Sequence, residues 1–438
     1  MNASERPLST ETKLTRINWL SAANPEMKFD CLMHHFNLES LAANFNKLDG
    51  RKAVGNDGVS KIEYGTDLSK NLDELLFKMK QMSYRPSPVR QVLIPKEGNP
   101  GSYRPLGIGN IEDKIVQGVT KSLLESIYEP LFLDCSYGFR PRRGCHDAIK
   151  DLRRHLNDRY VETVIDVDLA NFFGTIDHKV LEGFLREKIG DERFIRYITR
   201  MFKAGVLVEG DLSVSDEGVP QGSLCSPVLA NILAHHVIDK WIDEVVKPHC
   251  KGEIALFRYC DDLCICCEFD SDALRVKVAL GRRLEKYKLR LNSGKTKLIH
   301  FNRAASGRGR KQGSFDFLGF TFYIGHSRKG RPIVKLKTSR KRMNSKLKNV
   351  TMWIKTVRNR FRLTQIWKTL RMKLRGHSNY YAVSFNLEQV GTFLHKAIKI
   401  VFKWLNRRSQ KRSFTWEKFN LYIEANPLPR VRLCVSLY

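Results

Sequence analysis

The chain has 438 residues and a formal net charge of +30; residues 301–438 hold 32 Lys and Arg against 4 Asp and Glu, and residues 1–300 hold 44 against 42. A near-neutral body followed by an intensely basic last third points to a polyanion as partner, nucleic acid above all. The aromatics interleaved there (Trp353, Trp367, Phe393, Trp404) argue for a folded helical region rather than a disordered arm. No run nears the ~20 apolar residues of a spanning helix, and there is no lipidation motif and no signal-peptide core, so composition excludes a membrane protein and an intracellular one is expected.

In chain order, residues 1–25 are polar and expected to be poorly ordered, and residues 36–82 read as short helices around a turn at Val54–Ser60. Gln91–Pro95 is a compact strand stopped by the KEGNPGS loop. Apolar residues at helical spacing (Ile115, Val119, Leu123, Ile127) predict a helix over 111–133, followed by a strand at 161–168 and a helix from about Asp177. Segment 226–246 opens on Ser-Pro and reads as one buried helix. A hairpin at 254–267, a helix near 271–288 and strands at 296–301 and 317–323 follow, with a Gly/Arg-rich loop at 304–313. The fold class is α+β with a mostly antiparallel sheet. After Lys341 the pattern is helical, Met343, Leu347, Val350, Ile354 and Val357 marking one apolar stripe and Leu394, Ile398, Val401 and Leu405 another.

Two carboxylate clusters carry the chemistry. Tyr259-Cys260-Asp261-Asp262 sits between two apolar strand-like runs, so the turn of the hairpin is expected at Cys260-Asp261-Asp262. Paired acids at such a tip repel one another, and a divalent cation offsets the repulsion. In the strand VIDVDL, period-two alternation puts Val164, Asp166 and Asp168 on one face. A strand ending in Asp168 beside the hairpin would bring three carboxylates together, an oxygen-only set that selects Mg²⁺. Ten cysteines are present, but Cys260, Cys264, Cys266 and Cys267 lie in adjoining strands without a second spaced pair, which favours free apolar thiols over a metal site.

Seven segments in order, from about residue 85 onward, resemble a reverse transcriptase of the group II intron kind: IPKEGNPGSYRPLGI, SYGFRPRRGCHDAI, VDLANFF, GVPQGSLCSPVLANI, RYCDDLCI, LNSGKTKLIHF with FLGFTF, and LRGHSNYY. The resemblance implies a right-hand polymerase, with an N-terminal segment at 1–30, fingers and palm at 31–325 and an all-α basic thumb, the maturase X domain, at 326–438. It implies Asp168, Asp261 and Asp262 as catalytic ligands of two Mg²⁺ ions, or Mn²⁺ in their place, with the Leu169 carbonyl completing one shell. Lys96 and Arg104 would meet the triphosphate of a dNTP, Phe173 would block a ribose 2′-OH, and Gln221 and Gly222 would position template and nucleotide. Arg140, Arg142, Arg143, Lys295, Arg375, Tyr380 and Tyr381 would contact nucleic acid. The partners implied are an RNA template with a DNA or RNA primer and structured intron RNA, in a bacterial, nucleoid-associated setting; the oligomeric state stays open, a dimer included.

Three departures from the family pattern stand out. Cys260 replaces the usual alanine of YxDD, and Gly174 replaces an aspartate after the double phenylalanine. Beyond residue 330 the only cysteine is Cys434, so the zinc-bearing HNH endonuclease that often follows the thumb is not expected. Two other readings remain: a maturase acting only in RNA folding, and a reverse transcriptase separated from its intron and used in repair or defence.

Overall fold

A computed structural model describes residues 9–95, 101–208, 211–305, 312–408 and 414–438. They form two compact units. One holds residues up to 95, 101–145 and 167–297, and the other holds 146–166 and the described residues from 298 onward. The fold class is α+β, as expected, with a helical C-terminal region.

In the first unit, strands β1 (Val89–Pro95) and β2 (Tyr103–Ile108) pair antiparallel, Arg90 opposite Ile108. After β3 (Thr163–Asp168) come β4 (Val206–Val208) and β5 (Asp211–Ser213), and β4 lies parallel to β1, giving a sheet ordered β2-β1-β4-β5. Strands β6 (Ile254–Tyr259), β7 (Asp262–Cys267) and β8 (Lys297–His300) share with β3 a sheet ordered β6-β7-β3-β8; of β3 only Val167 and Asp168, and of β8 only Lys297, belong to the first unit. The hairpin β6–β7 is buried on both faces, which is why its apolar run is almost continuous rather than alternating. Cys264, Cys266 and Cys267 are buried free thiols in it.

The helix Ile111–Tyr128 is the spine of this unit: Ile115, Val116, Leu123, Leu124 and Ile127 are fully buried, and the helices Thr10–Ala23 and Leu38–Lys47 pack on it. Residues 9–23 are thus more ordered than their polarity suggests: Ser9 caps Thr10–Ala23, whose buried Ser21 donates to the Ile127 carbonyl at 2.6 Å. The expected single helix over 226–246 is an α-helix, Ser226–Ala234, that widens into π-turns at His235–Asp239 and Ile242–Val246.

The second unit contains the helix Cys145–Asp158 from His146 on and a sheet of β9 (Phe315–Phe317), β10 (Phe320–His326) and β11 (Pro332–Thr338). The helices Arg340–Val357, Leu363–Tyr381, Leu387–Leu405 and Trp416–Ala425 follow. Buried Arg153 donates to the carbonyls of Val334 and Leu437, both at 3.1 Å, tying helix, sheet and C-terminal residues together.

The spine also carries a buried acid. Asp113 accepts from the Tyr84 hydroxyl at 2.5 Å and from the Ser87 amide at 3.2 Å, yet burial pushes its pKa up from 3.8 to about 6. A raised carboxyl pKa favours the folded state at low pH, and that contribution is lost as pH rises through 6. Asp113→Asn keeps an acceptor at the Oδ1 position, which takes the Tyr84 hydroxyl at 2.5 Å, but puts a donor where Oδ2 stood; its stability relative to wild type is expected to be about 2 kcal/mol more favourable at pH 7 than near pH 4. Urea midpoints measured across that range check this; parallel pH curves for the two proteins would refute it.

Candidate active site

The acid-bearing hairpin closes in two residues, one fewer than the sequence suggests. Tyr259 pairs with Asp262, so Asp262 opens β7 and only Cys260 and Asp261 turn the chain. Cys260 sits at φ 61°, the left-handed conformation that such turns usually give to glycine. Its side chain is buried; burial, and then the Asp261 charge, push its thiol up to about 12, so it stays protonated. Asp262 is exposed and Asp261 half-buried. Gly138 lies against the turn, and a Cβ there would stand 2.6 Å from the Cys260 nitrogen.

Strand β3, next to β7 in the sheet, ends at half-buried Asp168. Its amide donates to Thr296 Oγ1 at 3.3 Å, and its carbonyl accepts from the Asn292 amide at 2.8 Å. Lys295 Nζ lies 3.3 Å from Asp168 Oδ2. Leu169 is buried and bridges to Leu291. Among the described residues no three His, Cys, Asp or Glu side chains form a group that could hold a metal ion, so the expected triad is not a closed cage. Carboxylates at adjacent strand ends nonetheless suit Mg²⁺, which binds through one or two carboxylates and fills its shell with water and phosphate oxygens.

Beneath the turn lies a set of residues that sequence reasoning missed. Arg258 is fully buried. It donates to both Asp239 oxygens at 2.7 and 2.6 Å, to Asn231 Oδ1 at 2.9 Å, to Ser136 Oγ at 2.7 Å and to the Cys260 carbonyl at 3.3 Å. Burial disfavours its charge but the Asp239 carboxylate supports it, and the net shift of its pKa is upward. Its backbone joins the Cys135–Tyr137 segment, the Arg258 amide donating to Cys135 at 2.8 Å and the Tyr137 amide to the Arg258 carbonyl at 2.9 Å. Asn231 Nδ2 donates to the Gly138 carbonyl at 2.7 Å. The signal in the sequence was a lone arginine inside an otherwise apolar strand.

Of the residues expected to meet the nucleotide, Arg104 is exposed on β2, and Lys96 lies outside the described residues. Half-buried Phe173 meets Phe172 edge-on, and its carbonyl accepts from the Val219 amide at 2.9 Å. The Gln221 carbonyl accepts from the Gly107 amide at 2.6 Å; Gly222, at φ 110°, would push a Cβ to 2.4 Å from the Gly107 oxygen, so only glycine fits. A cavity of about 230 Å³ opens here, lined by Gln91, Gly107, Asn171, Gly174 and Gln221 among others.

Two nucleic-acid candidates turn out to be structural. Arg140 is buried, paired with Glu129 at 2.9 Å and bonded to the Leu133 and Ser136 carbonyls, which leaves it no path to a phosphate. Tyr381 is buried against Phe320 and His377. Tyr380 is half-buried, stacks on Phe320 and donates to the Leu318 carbonyl at 2.9 Å. Arg142, Lys295 and Arg375 are exposed, and Arg143 is held by Asp134. Among the described residues, no helix is long and apolar enough to cross a membrane.

A carboxylate-tipped hairpin beside a strand ending in a further aspartate, joined to a glycine-bearing nucleotide-side loop, is the frame of a template-directed polymerase palm. Residues 94–322 match the family described as "Reverse transcriptase (RNA-dependent DNA polymerase)". Protein YkfC of Escherichia coli (strain K12) is 33% identical over 286 residues, 58% of this chain and 74% of that protein. The group II intron-encoded protein LtrA of Lactococcus lactis subsp. cremoris is 38% identical over 198 residues, 45% of this chain but 32% of its own length. The nuclear intron maturase 3, mitochondrial, of Arabidopsis thaliana is 32% identical over 130 residues, 29% of this chain and 18% of that protein. The chain belongs to the reverse transcriptase family and is of its group II intron, maturase-like type.

Gly138→Ala is expected to force the 135–140 segment off the acid turn, lowering stability by about 1–3 kcal/mol. Thermal melts of the two proteins check this, and an unchanged midpoint would mean that the backbone yields there at no cost.

Proposed function

We propose that the chain is an RNA-directed DNA polymerase that copies RNA with dNTPs and also binds group II intron RNA, assisting splicing and mobility. The observation that carries this reading is the position of Asp261 and Asp262 at a hairpin tip beside the strand that ends in Asp168, within the residues matching the reverse transcriptase family. Asp168, Asp261 and Asp262 hold Mg²⁺, with the Leu169 carbonyl as a further ligand. When bound, the metal supplies positive charge to the attacking and leaving oxygens of nucleotidyl transfer.

The chain's own residues bind and orient. Arg104, with a planar fork, and Lys96, as a point charge, grip the triphosphate. Gln221 and Gly222 bring backbone close to the nucleotide and template, and Phe173 stands against a ribose 2′-OH. Lys295 keeps positive charge beside Asp168, and Arg142 and Arg375 meet nucleic-acid phosphates. The cytoplasm of a bacterium, near the nucleoid, is the setting that suits these partners. A second reading, an RNA-binding splicing cofactor without synthesis, is supported by the relative named an intron maturase and by the charge of the last third.

Primer extension on an RNA template with Mg²⁺ tests the reading. Wild type is expected to incorporate dNTPs, and Asp261→Ala to lose at least about 10³-fold of that rate while retaining RNA affinity. Absent synthesis by wild type with tight structured-RNA binding would leave the cofactor reading. Phe173→Val is expected to raise ribonucleotide incorporation by about 10-fold or more, read from rNTP against dNTP competition; unchanged selectivity would remove Phe173 from the sugar site.

A further inference from the structure

We propose that Arg258 and Asp239 are a positioning pair for nucleotidyl transfer. They lock the turn carrying Asp261-Asp262 and the Ser136–Gly138 segment into one rigid piece, so that metal-binding carboxylates and the loop facing them keep a fixed spacing. The proposal rests on the polymerase reading above. Neither residue touches substrate: both are 0% exposed, and they act through their neighbours.

The guanidinium reaches four separate parts of the chain. Nε and one Nη2 contact take the two Asp239 oxygens on the π-turn. Nη1 is shared between Asn231 of the preceding helix and the Cys260 carbonyl in the turn itself. Nη2 also reaches Ser136 Oγ. Asn231 then spends its amide on the Gly138 carbonyl, and Gly138 lies against Cys260. The path is closed: turn, Arg258, Ser136, Gly138 and back to the turn. A planar five-donor fork can serve these five acceptor oxygens on four residues at fixed angles, which an ammonium cannot.

A charge placed only for stability would be a poor choice here, because filling the same volume with apolar side chains is often neutral or stabilising. What the apolar swap cannot reproduce is the directional hold on the Cys260 carbonyl and on Ser136. Misplacement of a catalytic group by about 1 Å can lower a rate on the order of 100-fold.

The test is the paired swap Arg258→Met/Asp239→Leu in the full chain. Its melting temperature is expected within a few degrees of wild type. Turnover is expected to fall about 10–100-fold, with the Mg²⁺ concentration for half-maximal rate raised several-fold. A readout independent of activity is amide hydrogen exchange: the Tyr137 and Arg258 amides are expected to lose protection together in the swap. Mn²⁺ affinity, read by electron paramagnetic resonance, is expected to weaken in parallel.

A stable swap with wild-type turnover, Mg²⁺ dependence and exchange would overturn the proposal and leave the pair a merely structural feature. Should the swap fail to fold, Ser136→Ala, which removes one acceptor and leaves Asp239 in place, is expected to raise the Mg²⁺ requirement several-fold at unchanged melting temperature; unchanged Mg²⁺ dependence there overturns it equally. If wild type itself makes no DNA, the polymerase reading fails, while exchange and Mn²⁺ affinity still decide whether the pair couples loop and turn.

Discussion

The body of this protein is organised around one buried ion pair. Arg258, in the strand that leads into the acid turn, and Asp239, on the π-turn His235–Asp239, are both fully enclosed and 2.6 Å apart. Removing one partner of such a pair costs about 3–5 kcal/mol, because the other charge is left without compensation. That cost makes the pair a strict constraint: the π-turn, the Cys135–Gly138 segment and the hairpin must all arrive at one place for either charge to be tolerated. The π-turn His235–Asp239 has its reason here as well, since it is the stretch of helix that carries the carboxylate.

Backbone strain gathers in the same neighbourhood. Eight described non-glycine residues have positive φ, and four of them (Phe139, Arg142, Asn171 and Cys260) belong to the turn, the loop packed on it or the segment after Asp168. Residues in such conformations persist only where their surroundings over-determine them. At Cys260 the surroundings are the Arg258 contact to its own carbonyl and the close approach of Gly138. Near Asn171 lies Gly174, where a Cβ would stand 2.3 Å from the Asn171 side-chain Nδ2. The glycine that departs from the family pattern thus leaves room for that side chain just after β3.

Much of this was legible in the sequence, and the failures have physical causes. Period-3.6 patterns located Ile111–Tyr128, Arg340–Val357 and Leu387–Leu405 because each buries one apolar face, and two near-continuous apolar runs flanking the acids located Ile254–Cys267. The strands β4 and β5 were missed because three residues each are too short to show a period. The helix Thr10–Ala23 was missed because its buried residues are only Ile17 and Ser21. The sequence pattern pointed to the acids at the hairpin tip, but not to the buried arginine beneath them. An arginine is read from sequence as a surface charge, and nothing local says that its acid lies nineteen residues upstream on a π-turn. Arg140 and Tyr381 failed the other way: chemically apt for nucleic acid, they are taken up by Glu129 and by Phe320.

The basic last third meets the opposite electrostatic problem. With 4 acidic residues against 32 basic ones in residues 301–438, it can neutralise few of its cations by ion pairing. It uses carbonyls and aromatic faces instead. Arg153 is held by two of its carbonyls and lies over its Phe385 at 4.5 Å. Lys355, Arg358 and Arg407 lie 4.5–5.2 Å from the single ring of Trp404, and Lys373 lies over Trp353. A π face steadies a cation without cancelling its charge, whereas a carboxylate would do both. Folding by this route leaves the positive field intact, and that field is the long-range term that draws and holds a phosphate backbone. The interleaving of aromatics with basic residues is thus the means by which a domain this short of acids folds and stays electropositive at once.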